Sequence, residues 1–229
     1  MGERGRRLIA EGLGSLLLFA CVVGSGIMAE ALAGGNVAIA LLGNTLATGA
    51  ILYVIITIFG PISGAHFNPA VTLVMRLKGL IGSGEAICFV VVQLVGGIIG
   101  VWIAHLMFDL PILQISARPR SGIGQWSGEF VATFGLLLTI LGTVRYRPDN
   151  VPVAVALFIT AGYWFTSSTS FANPAIAIAR SLSDSFAGIA PMDVPMFIIA
   201  QFAGALVAWG VARFMFKEDR QAGVTGKGL

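Results

Sequence analysis

Long apolar runs separated by short polar segments dominate the chain. A helix needs roughly 20 apolar residues to cross a membrane. Six runs approach or exceed that length and predict transmembrane helices over 8–30, 37–60, 85–108, 125–145, 151–170 and 193–216.

Two shorter apolar segments, 68–78 and 173–183, each begin with Asn-Pro and are too short to cross a membrane. Asn is a good helix N-cap, and Pro suits the first helical position. Each segment therefore predicts a half-helix, entered from the loops 61–67 and 166–172. Irregular backbone at membrane depth is tolerated where it lines a cavity or is buried in protein. The predicted fold class is an all-α membrane protein with six transmembrane helices and two re-entrant half-helices.

The two halves of the chain repeat each other. Matching letters at 10–19 and 128–137, and at 93–100 and 201–208, pair the polar residues Glu11 with Glu129, Asn68 with Asn173, and Gln93 with Gln201. Three spans in each half make the second half enter from the opposite side. We therefore expect a single domain over 1–229 with inverted repeats at about 7–108 and 122–216, an architecture of transporters and channels.

Composition agrees with a membrane protein. The chain has 229 residues, 56% hydrophobic and 11% charged, with a mean hydropathy of +0.89, whereas soluble domains are about 25% charged. The net charge of +3 indicates basic cytoplasmic loops rather than a nucleic-acid partner. The first apolar run is interpreted as a retained span and not as a cleaved signal.

The positions of Lys and Arg predict orientation. With the N-terminus inside, only Arg118, Arg120 and Arg180 fall in outer segments. The other eleven fall in inner segments, which predicts a multi-pass protein of the cell (inner) membrane with both termini cytoplasmic. These eleven are Arg4, Arg6, Arg7, Arg76, Lys78, Arg145, Arg147, Arg213, Lys217, Arg220 and Lys227.

The two Asn-Pro-Ala motifs carry the candidate chemistry: Asn68, Pro69, Ala70 and Asn173, Pro174, Ala175. Half-helices entering from opposite sides would meet by their N-termini, each with about half a positive charge. The Asn amides add donors, and the preceding loops add backbone acceptors. Such a pore would pass small neutral solutes and repel cations. The sequence shows no nucleophile–base motif, phosphate loop or metal-spacing cluster, so no catalytic site, metal or cofactor is expected, and Cys21 and Cys88 do not suggest a disulfide.

On these motifs the chain resembles the aquaporin and aquaglyceroporin family over residues 6–216. The matching stretches are SGAHFNPAV (63–71), FANPA (171–175), and the paired glutamates and glutamines. The resemblance implies a homotetramer in the lipid bilayer with one pore per subunit. It also implies that Glu11 and Glu129 brace the half-helices rather than relay protons, with His66, Gln93 and Gln201 as further support. A gating role for His66 is the alternative.

The family narrows its pore at four positions, which counting from the two Asn residues places at Thr48, Ala161, Ser170 and Ile176. Most relatives carry Arg at the last position and one or two aromatic residues or His among the others. All four residues here are small or aliphatic, which predicts a wide, uncharged constriction. The nearest Arg is Arg180, which is a displaced substitute in the outer vestibule, a partner of Asp184 or an anchor of the outer loop.

The expected function is a passive channel for small neutral solutes: glycerol-like polyols, with water, urea and neutral metalloids such as arsenous acid as further candidates. Bacterial relatives with an aliphatic residue in place of the filter Arg include arsenical-associated aquaglyceroporins, which this chain resembles. A water-selective aquaporin, a proton-coupled secondary transporter and a membrane protein with a closed pore are the alternatives.

Overall fold

The computed structural model describes residues 2–216, and these form helices connected by turns and loops, without strands. Lys217, Arg220 and Lys227, which the charge count assigns to the cytoplasm, lie outside the described residues. The α-helices are α1 (Glu3–Leu32), α2 (Val37–Ser63), α3 (Pro69–Leu77), α4 (Ser83–Met107), α5 (Ile123–Tyr146), α6 (Val151–Phe165), α7 (Pro174–Arg180) and α8 (Val194–Met215).

Five helices are long and apolar enough to cross a membrane: α1, α2, α4, α5 and α8. The sixth predicted span, 151–170, is shorter than expected because α6 ends at Phe165 and the polar residues from Thr166 form a loop. Its 15 residues rise about 22 Å. A short 3₁₀ turn, Pro148–Asn150, precedes it.

The two predicted half-helices are α3 and α7. Asn68 and Asn173 are their N-caps, and each side-chain oxygen accepts a hydrogen bond from a backbone N–H in the first turn. Pro follows directly in both helices, where its missing N–H is not needed. Helix α7 ends at Arg180, three residues earlier than its apolar pattern predicts.

Closely packed helix pairs hold the half-helices. Helix α1 packs against α4, and α5 packs against α8. The spacing of Gly96 and Gly100 on α4 predicts such close contact, and a Cβ on Gly96 would lie 2.2 Å from the carbonyl oxygen of Gly12. At the matching position in the second half, a Cβ on Gly204 would lie 2.4 Å from the carbonyl oxygen of Phe130. Both repeats therefore need glycine at the same helix crossing.

Candidate functional site: the joint between the half-helices

Helices α3 and α7 meet at their N-termini through the two asparagines. The Nδ2 of Asn68 donates to the carbonyl oxygen of Ala172 at 2.7 Å, and the Nδ2 of Asn173 donates to that of Phe67 at 2.8 Å. A side-chain amide nitrogen carries two N–H groups. Each of the two Nδ2 atoms donates only this one hydrogen bond among residues 2–216. Because both asparagines line a cavity, the second N–H of each is available to a solute.

The cavity passes the joint and continues along the bundle. Its volume is about 440 Å³, and its wall includes Glu3, Arg7, Leu18 and Val22 of α1. Residues 3 and 22 of one helix are separated by about 28 Å, close to the roughly 30 Å of a bilayer's hydrocarbon core. The cavity therefore has the length of a transmembrane path.

Two buried glutamates hold the loops that lead into the joint. Glu11 accepts from the backbone N–H groups of His66 and Phe67 at 2.9 and 2.8 Å. Glu129 accepts from those of Phe171 and Ala172, both at 2.9 Å. Each carboxylate thus satisfies two backbone donors that no regular helix could satisfy.

The two paired glutamines complete this arrangement. Gln93 donates to Glu11 at 2.8 Å, and Gln201 donates to Glu129 at 2.5 Å. Both glutamines and both glutamates are fully buried. The structure therefore joins the glutamate to the glutamine within each half, which accounts for four of the six polar residues that the repeat paired.

The loops themselves have matching backbones despite different side chains. Left-handed φ angles occur at three equivalent positions in each loop: at Gly64 (92°), Ala65 (50°) and Phe67 (49°) in the first, and at Thr169 (62°), Ser170 (50°) and Ala172 (48°) in the second. Non-glycine residues rarely adopt this conformation, and the surrounding contacts must hold it. The hydrogen bonds from the loop N–H groups to Glu11 and Glu129 supply those contacts.

The direction of the loop carbonyls follows from the hydrogen bonds to the two glutamates. In a trans peptide the C=O points opposite to the following N–H. The carbonyls of Ala65 and His66 therefore point away from Glu11, and those of Ser170 and Phe171 point away from Glu129. All four residues line the cavity, so we infer that their carbonyls offer hydrogen-bond acceptors along it.

His66 makes local contacts at the cavity wall. Its Nδ1 lies 3.1 Å from Oγ1 of Thr72, to which Gln93 also donates at 3.0 Å. Its ring meets Phe89 edge to face at a centroid distance of 5.3 Å. These contacts link the first loop to α3 and α4.

Three of the four predicted filter residues line the cavity: Thr48, Ser170 and Ile176. Ala161 does not, and its assignment is corrected. It is exposed on the far side of α6, whereas Val155, Ile159 and Tyr163, spaced by four residues, line the cavity.

Tyr163 occupies the place assigned to Ala161, ten residues before Asn173 rather than twelve. The count assumed a loop two residues longer, and an error of two residues rotates a helix position by about 200°. The hydroxyl of Tyr163 lies 3.2 Å from that of Thr48. An aromatic ring and a hydroxyl from α6 therefore face the cavity, where the sequence predicted the small side chain of Ala161.

Arg180 also lines the cavity, although it is only 2% exposed. Its Nε donates to the carbonyl of Ala187, and its guanidinium carbon lies 3.4 Å from the ring centroid of Phe171. Within the described chain it has no carboxylate partner. Asp184, expected as its partner, instead accepts from the backbone N–H of Ala117 at 3.0 Å. Arg180 thus anchors the outer loop at Ala187 and also faces the cavity.

Arg120, which sequence reasoning did not select, also contacts the ring of Phe171. Its guanidinium carbon is 4.9 Å from the Phe171 centroid, and its nitrogens donate to the carbonyls of Gly188 (2.7 Å), Ser168 (3.3 Å) and Phe186 (3.5 Å). Burial, and after it the charge of Arg118, lowers the pKa of Arg120 to about 10, so it stays protonated at neutral pH. It holds three carbonyls of two loops together. The basic character of the segment 118–120 was the only signal in the sequence.

Known proteins share this architecture. Residues 3–150 match the family model described as major intrinsic protein. The chain is 53% identical over 215 residues to the aquaglyceroporin AqpS of Rhizobium meliloti, covering 94% of this chain and 92% of that protein. It is 29% identical to the glycerol uptake facilitator protein-like 6 of Lactiplantibacillus plantarum, covering 93% and 100%.

A solved structure agrees in fold. The X-ray structure of the aquaglyceroporin from Plasmodium falciparum superposes with a TM-score of 0.68 at 20% identity, over 90% of this chain and 94% of that one. This similarity confirms the predicted fold class. The chain is a multi-pass membrane protein that belongs to the major intrinsic protein family, whose members are channels and not enzymes.

Proposed function

We propose that the protein is a passive channel for small neutral solutes that both donate and accept hydrogen bonds, with glycerol-like polyols as its main class. The observation that carries the proposal is the joint of the two half-helices, with both asparagines facing one cavity. The remaining amide N–H groups offer donors and the loop carbonyls offer acceptors. A polyol hydroxyl can use both at once.

The buried carboxylates argue against a proton-coupled transporter. Both are occupied by backbone and glutamine donors, and a carboxylate that must release and take up protons would break these bonds in every cycle. Transport down the solute's own gradient needs no such step.

The constriction is proposed to consist of Thr48, Tyr163, Ser170 and Ile176. Ile176 stands where most relatives have Arg, so this position lacks the fixed donors of a guanidinium. Hydroxyls from the other three residues give a polar rim beside one aliphatic side chain. This combination favours polyols over water alone, in line with the names of both relatives.

Neutral metalloid hydroxides are proposed as further solutes. Undissociated arsenous acid has three hydroxyls and a polyol-like size, so a pore that admits glycerol also admits it. No thiol lines the described cavity wall to retain arsenic. Assembly as a homotetramer in the inner membrane, with both termini cytoplasmic, is proposed from the family resemblance and from the distribution of Lys and Arg.

Stopped-flow light scattering on proteoliposomes tests the function. Water, glycerol, urea and arsenous acid are compared in one preparation. We expect glycerol flux well above protein-free vesicles, linear in concentration and independent of a proton gradient. Water flux without glycerol flux would identify a water-selective channel instead, and accumulation driven by a proton gradient would identify a transporter.

Two substitutions test the constriction. Ile176→Arg should reduce glycerol flux at least about tenfold, because it adds a bulky buried cation at the constriction. Ile176→Leu, which keeps an aliphatic side chain, is the conservative control. Tyr163→Ala should admit larger polyols, because it removes the aromatic ring. Ala161→Val, on the far side of α6, is its matched control and should leave flux unchanged. An effect of Ala161→Val equal to that of Tyr163→Ala would contradict the reassignment.

A further inference from the structure

Arg180 is a buried cation whose charge the fold leaves uncompensated at close range. Within residues 2–216 no carboxylate lies within 4.0 Å of it, and its one hydrogen bond runs from Nε to Ala187. Its two terminal nitrogens make no hydrogen bond to the described protein, and the residue lines the cavity. Burying an unpaired charge is unfavourable, so we expect the two terminal nitrogens to take their hydrogen bonds from water or solute in the cavity that Arg180 lines.

The helix geometry explains how Arg180 reaches the constriction. It lies four residues after Ile176, on the same face of α7 and about 6 Å further along the axis. Side chains on a helix tilt toward its N-terminus, so the long Arg side chain extends back toward the constriction. Its contact with Phe171, which precedes α7, shows this direction. The guanidinium therefore lies nearer to the start of α7 than the Cα of Arg180 does.

We propose that Arg180 supplies the electrostatic barrier to cations and protons that Ile176 cannot supply. A guanidinium remains charged at all physiological pH values. Because its Cα lies one turn beyond Ile176, it can oppose cations from the cavity wall without taking the place of the Ile176 side chain. The channel then separates two tasks: side chains at the constriction select size, and Arg180 excludes positive charge. This inference rests on the proposed channel function.

The size of the effect follows from Coulomb's law. At an effective dielectric constant of about 20, a unit charge about 10 Å from the path changes the occupancy of a monovalent cation by roughly tenfold. The positive ends of α3 and α7 add to this barrier. Loss of Arg180 should therefore weaken the barrier without abolishing it.

The test measures proton leak and glycerol flux in the same proteoliposomes, with a pH-sensitive dye inside and valinomycin holding the membrane potential. The readout is the ratio of proton leak to glycerol flux. Arg180→Gln should raise this ratio roughly tenfold, whereas Arg180→Lys, which keeps the charge, should stay close to the wild type. Arg118→Gln, an exposed outer arginine outside the cavity wall, is the matched control and should change nothing.

A double variant returns the charge to the constriction. With Ile176→Arg added to Arg180→Gln, the proton leak itself should fall back toward the wild-type value; the leak is compared directly here because Ile176→Arg also lowers glycerol flux. An unchanged ratio in Arg180→Gln, or a ratio in Arg180→Lys as high as in Arg180→Gln, would overturn the inference. Absence of glycerol flux in the wild type would instead overturn the proposed function, so the two failures are distinct.

Discussion

Helices α3 and α7 are held in the same way but present different side chains to the cavity. Each has an Asn cap that bonds across to the other loop and a glutamate that accepts two backbone N–H groups. Seven residues after the cap, however, α3 carries Met75 and α7 carries Arg180, and both line the cavity. The repeat has thus kept the backbone scaffold symmetric, whereas at this position only α7 carries a charged side chain.

The difference shows which positions the scaffold constrains. The bracketing glutamates, the glutamines and the crossing glycines occur in both halves because each satisfies buried backbone or permits close approach. Side chains that only face the cavity carry no such requirement. They can differ between the halves, and solute selection depends on them.

The largest expected effect comes from removing either glutamate. Glu11→Ala and Glu129→Ala each leave two backbone N–H groups buried without acceptors. Since each unsatisfied group costs about 1–3 kcal/mol, each variant should lose about 3 kcal/mol or more of folding free energy. Thermal unfolding in detergent measures it, with the exposed Asp149→Ala as control. A large loss of folding free energy in only one of the two variants would show that Glu11 and Glu129 are not equivalent.

A smaller effect is expected at the helix crossings. Gly204→Ala places a Cβ 2.4 Å from the carbonyl oxygen of Phe130, and Gly96→Ala places one 2.2 Å from that of Gly12. Each should destabilise the fold by about 2 kcal/mol through overpacking. Gly210→Ala on the same helix α8 meets nothing within 4 Å and should be neutral or slightly stabilising. Equal unfolding temperatures for Gly204→Ala and Gly210→Ala would show that α5 and α8 can move apart at their crossing without loss of stability.

The smallest effect concerns a contact present in the first half alone. Thr72 meets His66 and Gln93, while the equivalent residue in α7 is Ala177. Thr72→Ala makes the two half-helices alike and should cost about 1 kcal/mol, measured by thermal unfolding. Thr57→Ala, an exposed helical threonine that bonds only its own helix, is the control. If both substitutions have the same effect, the hydroxyl of Thr72 adds nothing specific to the first half.

Much of the fold could be predicted from local sequence. The capped starts of α3 and α7 depend on Asn followed by Pro, a local signal, and the structure has both. The last long span, predicted over 193–216, is Val194–Met215. The span predicted over 151–170 is the exception, because apolar content does not reveal where α6 stops and the loop toward Asn173 begins.

The candidate site was less accessible to sequence reasoning. Counting from Asn173 gave Ser170 and Ile176 as filter residues, and both line the cavity, because the chain between them and Asn173 is short. The same count gave Ala161 instead of Tyr163, since it crossed a loop of unknown length. The role of Arg120 depends on three carbonyls from two distant loops, which no local pattern contains.

The sequence by itself determined the membrane-spanning helices, the two half-helix starts and the pairing of Glu11 with Glu129, because these depend on local hydrophobicity, helix caps and an internal repeat. Only the tertiary structure decided that Tyr163 faces the cavity and that Arg180 reaches back over Phe171 into its wall. The physical reason is that a helix turns by about 100° per residue. Which face meets the cavity therefore depends on loop length and packing, and the direction of a long side chain depends on what surrounds it.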